Sequence, residues 1–201
     1  MREHGSGLSQ GQIQGDDGLQ AWLANRPQPA GSPLHAGSIQ SGVASAITYW
    51  WTDEGWLYLA IVLDLFNREL VGWSLKPRMA TDIADIVIDA LTMAWFRRKP
   101  AAGVLHHSDR GSLYASHAFQ GKSAEYGMTL DESRGNCWDD APTESWFNRF
   151  KNERVYGWRF ATREQMTATA FEYIEVFYNR ERRHSALGYV APAQFEGNEY
   201  S

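Results

Sequence analysis

The nearly unbroken apolar run Leu57-Tyr58-Leu59-Ala60-Ile61-Val62-Leu63-Asp64-Leu65-Phe66 restricts the fold more than any other segment of this chain. It is far too short to cross a bilayer, which takes about 20 apolar residues. Its length and β-branched content suit a buried central strand. A central strand needs partners, and both neighbours supply them. Residues 44–51 read as a strand, and Gly55 supports a tight turn into the run. Asn67-Arg68 then turns the chain, and residues 69–75 alternate as a third strand. Three consecutive strands joined by short turns form an antiparallel meander.

Helical signals follow. Thr81 is positioned to cap a helix reaching about residue 96. Asp82 and Asp85 lie in its first turn, Arg97-Arg98-Lys99 at its end, and Pro100 beyond as a stop. Residues 104–107 read as a short strand, 116–126 as a helix and 128–130 as a short strand. Pro142 opens another helix, with Asp140 as its cap, running to about residue 155. Residues 162–179 form a last long helix before a basic, turn-rich tail. Three antiparallel strands followed by helix–strand–helix–strand–helix is the order of a ribonuclease H-like domain. The expected fold is therefore α/β, three layers around a mixed five-stranded sheet, over residues 44–201. Residues 1–43 are rich in Gly, Gln and Ser and contain no Lys. They read as a disordered segment, or as an out-of-frame one preceding the true coding frame.

Charge and cysteine content narrow the chemistry. The formal net charge is -5, acidic for a protein that holds DNA, since Lys and Arg supply most non-specific affinity. Any basic surface must be local. The lone Cys137 excludes an internal disulfide framework and a Cys-based zinc site. With no membrane-length apolar run and no signal peptide, no membrane partner is expected and the cytoplasm is the expected compartment.

Two carboxylates stand out. Asp109 lies in His106-His107-Ser108-Asp109-Arg110-Gly111-Ser112, at the end of a strand. Glu144 lies in Ala141-Pro142-Thr143-Glu144-Ser145, on the first turn of a helix. Carboxylates brought together from separate elements are what a magnesium site for phosphoryl transfer requires.

These motifs belong to a larger set: Ala46-Ile47-Thr48-Tyr49, Gly55-Trp56-Leu57-Tyr58, Leu63-Asp64-Leu65-Phe66-Asn67-Arg68, Gly135-Asn136-Cys137-Trp138-Asp139, Tyr178-Asn179-Arg180 and Arg183-His184-Ser185-Ala186-Leu187-Gly188-Tyr189. In this order they resemble the integrase-core transposases of bacterial insertion sequences, a DDE-type, retroviral-integrase-like family. The closest likeness is to a second-reading-frame product, here truncated or frame-shifted at its N-terminus. The resemblance implies an Asp, Asp, Glu triad binding Mg²⁺ or Mn²⁺, with Asp109 second and Glu144 third. It implies in-line attack on a DNA phosphodiester, DNA ends and target as partners, and a homo-oligomer or a first-reading-frame partner. The first acid of the triad falls at Ala46, whose methyl cannot ligate metal. Metal binding is then expected to be weakened and the chain inactive, leaving either a relic or a dead DNA-binding or dimerising inhibitor of transposition.

Two lesser departures accompany it. The 34 residues between Asp109 and Glu144 are one fewer than usual in the family, and Leu113 replaces a usual Gln. Asp64 belongs to the family motif, so a supporting role is expected rather than rescue of position 46. Asn148 and Lys151 share a helical face with Glu144 and, with Arg180 and Arg183, are the DNA-contact candidates. Trp146, Phe147 and Phe150 read as the core face of the same helix. His106 and His107 read as packed strand-end residues. No helix-turn-helix reader of terminal repeats is recognisable in residues 1–43.

Overall fold

A computed structural model describes residues 42–77, 84–100, 102–108, 116–130 and 137–198. The meander forms as expected. Strands β1 (Val43–Thr52) and β2 (Gly55–Asp64) pair antiparallel without interruption, from Val43 opposite Asp64 to Thr52 opposite Gly55. Gly55 adopts φ 112, a conformation that suits glycine, at the tight turn. Strand β3 (Leu70–Lys76) pairs antiparallel with β2, with a register shift between Val62 and Leu63. Strands β4 (Leu105–Ser108) and β5 (Thr129–Leu130) add in parallel, giving a mixed five-stranded sheet in the order β3-β2-β1-β4-β5.

The apolar run of β2 has a simple explanation. Leu57, Leu59, Ile61 and Leu63 point to one face of the sheet, while Ala60 and Val62 point to the other, and all six are buried. Helices α1 (Ala84–Arg98) and α2 (His117–Glu125) cover the second face. Helices α3 (Cys137–Phe150) and α4 (Arg163–Phe171) cover the first. Thr162 caps α4 through a reciprocal capping box with Gln165.

Most strands and helices lie within one or two residues of the expected bounds, and larger departures come later in the chain. Strand β1 starts at Val43, one residue early. Helix α3 starts at Cys137, so Pro142 sits inside it and Glu144 lies mid-helix instead of in the first turn. Pro142 is the sixth residue of this helix, beyond the first turn, so it removes one intrahelical bond. The last helix is not uniform: after Phe171 it widens into a π-type segment, Glu172–Tyr178. A similar widened turn, Lys151–Val155, ends α3, with the Tyr156 N–H donating to the Lys151 carbonyl at 2.7 Å. Residues five apart come to the same side of such a turn. That is how Tyr173 and Tyr178 both enter the core, with ring centroids 6.1 Å apart. The expected cap Thr81 and first-turn Asp82 lie outside the described residues. A short turn (Ser185–Leu187) and helix α5 (Pro192–Asn198) follow.

Candidate active site

The parallel β1–β4 ladder fixes the first part of the site. Ser45 stands opposite Ser108, the last residue of β4. The next residue of β1 is Ala46, and the next residue after β4 is Asp109, which lies outside the described residues, as do Leu113 and residues 131–135, near which the one-residue difference in spacing is expected. Ala46 is half-buried and packs against the aromatic layer that contains Trp146, Phe147 and Phe150. Its methyl therefore faces the side of the sheet covered by α3.

Helix α3 packs against β1 and β4. Trp146 and Phe150 anchor it, 1% and 0% exposed, with rings stacked at 5.3 Å, and Trp50 of β1 meets Phe150 edge-on at the same spacing. Burying these rings turns the other side outward. Glu144 and Asn148 are exposed and Lys151 is half-exposed. The expected row of carboxylate, amide and ammonium is thus formed by the amphipathic placement of one helix. Lys151 is also the first residue of the widened turn.

Among the described residues, neither Asp64 nor Asp53 stands in for residue 46. Asp64 is 1% exposed and projects to the opposite face, where it lines a small void with Val43, Val71 and Trp95. Its carboxylate accepts the N–H groups of Phe66 at 2.8 Å and Asn67 at 3.4 Å. Asp64 therefore builds the β2–β3 turn, and the sheet separates it from Ala46. Asp53 lies at the far tip of the β1–β2 hairpin, where Arg159 donates to it at 3.0 Å. Among the described residues, no three His, Cys, Asp or Glu side chains gather as a metal-binding group.

His106 is fully buried beneath α2, with Nε2 3.0 Å from the Ser45 hydroxyl and its ring 5.4 Å from that of Phe119. Burial, and to a lesser degree the neighbouring His107, pushes its pKa down to about 3, so it is neutral near pH 7. It is a packed strand-end residue, as expected.

Arg180 and Arg183 are exposed, whereas Arg182 donates to Glu153 at 2.9 Å. Asn179, between Tyr178 and Arg180, has a structural task. Its side chain accepts the Leu70 N–H and donates to the Leu70 carbonyl, both at 3.0 Å, tying down the edge strand β3. Sequence reasoning missed Arg149. It lines one pocket with Arg182 and Arg183, and no linear signal links positions so far apart.

A mixed sheet in this order, with an acidic helix laid over β1 and β4, defines the catalytic-core fold shared by integrases and transposases. Solved structures bear this out. The HTLV-2 integrase catalytic core domain in complex with magnesium superposes with TM-score 0.54 at 12% identity, covering 79% of this chain and 98% of that one. The catalytic domain of Mos1 mariner transposase gives TM-score 0.57 at 12% identity, covering 81% and 78%. The integrase core domain family matches residues 45–136, and a second integrase core domain family matches residues 144–199. Transposase InsF for insertion sequence IS3A of Escherichia coli (strain K12) is 47% identical over 154 residues, 76% of this chain and 52% of that protein. The insertion element IS600 uncharacterized 31 kDa protein of Shigella sonnei is 43% identical over 150 residues, 74% and 54%. This chain belongs to the integrase-core (DDE) transposases of bacterial insertion sequences. It spans about half the length of the curated relatives it matches.

Proposed function

We propose that the chain is the core of a DNA strand-cleavage and strand-transfer enzyme whose chemistry is disabled at position 46. The supporting observation is the place of Ala46: on the face covered by α3, one step beyond the Ser45–Ser108 pair that immediately precedes Asp109. In this reading Asp109 and Glu144 are the two remaining metal ligands, for Mg²⁺ or Mn²⁺, held weakly. Asn148, Lys151, Arg180 and Arg183 contact the DNA of element ends and target. The partners are DNA and either a second copy or a first-reading-frame product, and the compartment is the cytoplasm. No helix among the described residues is long and apolar enough to cross a membrane. If the missing carboxylate removes about 4 kcal/mol of transition-state stabilisation, the rate falls on the order of a thousandfold.

The test is restoration. Ala46→Asp, incubated with Mn²⁺ and a nicked DNA substrate, is expected to cleave at least about a hundredfold faster than the unaltered chain. Adding Glu144→Gln is expected to abolish the gain. Equal rates for the unaltered chain and Ala46→Asp would contradict this reading. A second reading, a dead DNA-binding or dimerising inhibitor, is favoured by the intact outward row of Glu144, Asn148 and Lys151. Co-expression with an intact relative separates the two fates: reduced transposition marks an inhibitor, and unchanged transposition a relic.

A further inference from the structure

The Arg183-to-Tyr189 motif is left without a task by the carboxylate site, yet it folds into a defined pocket. We propose that Arg149, Arg182, Arg183 and Tyr189 hold one backbone phosphate of DNA, at a site separate from the Glu144 row. This rests on the DNA reading above, which uses Arg183 alone of this motif, and deepens it by adding Arg149, Arg182 and Tyr189 to one phosphate site.

The pocket is built from two distant parts of the chain. Arg149 comes from α3, directly after Asn148. The other walls come from the tail, which doubles back: the His184 N–H donates to the Val190 carbonyl at 3.1 Å, and the Tyr189 N–H to the His184 carbonyl at 2.8 Å. Gly188 makes the bend at φ 70, and Tyr189 follows at φ 64, a left-handed conformation unusual for an aromatic residue. Buried Leu187 and His184 pin the loop, the His184 ring meeting Tyr178 edge-on at 5.0 Å. The consequence is a rigid loop with Arg183 and Tyr189 held outward, Tyr189 being 71% exposed.

Size and charge both suit a phosphate. The pocket encloses about 180 Å³, well above the roughly 10–15 Å³ that one water requires. Arg182 is oriented by Glu153, whose other oxygen accepts the Tyr173 hydroxyl at 2.9 Å. Guanidinium forks match phosphate oxygens in pairs, and three arginines, Arg149, Arg182 and Arg183, line this pocket. The exposed rim formed by Arg183 and Tyr189 argues for a phosphate carried on a large molecule rather than a free ion. A local site of this kind also reconciles DNA binding with a chain of net charge -5.

The experiment measures binding of the full chain to a short fluorescent duplex across a salt series. Arg149→Gln/Arg183→Gln is expected to weaken binding about three- to tenfold and to lower the salt slope by about one. The single variant Arg183→Gln, at an exposed position, is expected to show part of the same effect if the double variant fails to fold. Arg159→Gln, at the hairpin tip, is expected to change neither quantity. Unaltered affinity and slope in folded Arg149→Gln/Arg183→Gln would overturn the pocket while leaving the DNA reading intact. Inorganic phosphate binding at the pocket, with DNA affinity unchanged by the substitutions, would overturn it too. No DNA binding by the unaltered chain would overturn both.

Discussion

The two faces of the sheet are built on different principles. The face under α1 and α2 is closed mainly with small and aliphatic residues, Ala60, Val62, Val71, Val87, Ala90 and Leu91 among them, together with Phe119 and Tyr126. Its polar groups serve the fold, with Ser45 and His106 meeting in the interior and Asp64 folded into a turn. The face under α3 and α4 is closed with aromatic rings, and α3 there carries an exposed row of polar side chains on its other side. In the proposed reading, the face under α3 has lost one ligand at Ala46 and kept its aromatic packing.

The largest expected effect falls on the aromatic face. Trp146 touches the rings of Phe147, Phe150, Tyr173 and Tyr178. Trp146→Ala is expected to cost about 3–5 kcal/mol in urea unfolding. A cost below about 1 kcal/mol would mean that the aromatic layer is not the close-packed core described here.

The opposite face is sensitive to the reverse change, a gain of volume. A Cβ at Gly72 would fall 2.1 Å from the Ala90 carbonyl oxygen and 2.9 Å from the Ala94 Cβ. Gly72→Ala is expected to cost about 1–3 kcal/mol. Adding Ala94→Gly should not restore stability, because the nearest obstacle is helix backbone. Full rescue by that second change would show that α1 sits further from β3.

A smaller and pH-dependent effect comes from His106. Its folded pKa, about 3, lies below the ordinary value of 6.5, so the unfolded chain takes up a proton before the folded one does. Stability should therefore fall as pH drops below about 6.5 and continue falling toward about 3, by close to tenfold in the folding equilibrium per pH unit from this group. Between pH 6.5 and 5, His106→Gln is expected to flatten the profile of chemical denaturation. An unchanged slope would show that another group carries it.

The sequence made the scaffold more legible than the site. The β2 run announced a central strand because both of its faces are apolar, and the outward row of α3 followed from helical period alone. Pro142 misled because proline is favoured in the first turn, whereas this helix begins five residues before it. The pairing of Tyr173 with Tyr178 was hidden because a five-residue spacing belongs to neither a regular helix nor a strand. Asp64 illustrates a different limit. Its identity is plain in the chain, but the face it occupies depends on the register of β2 against β1. The meeting of Arg149 with Arg183 depends on how α3 lies beside the folded-back tail, which no local pattern encodes.

The central claim is that residue 46 borders a crippled cation site shared with Glu144. Its most direct test is a Mn²⁺ titration, followed by calorimetry, of the unaltered chain, Ala46→Asp and Ala46→Asp/Glu144→Gln. The expected result is at least about a tenfold gain in affinity with Ala46→Asp, lost again when Glu144 is replaced. Identical Mn²⁺ affinity in all three, or a gain that survives the loss of Glu144, would contradict the account.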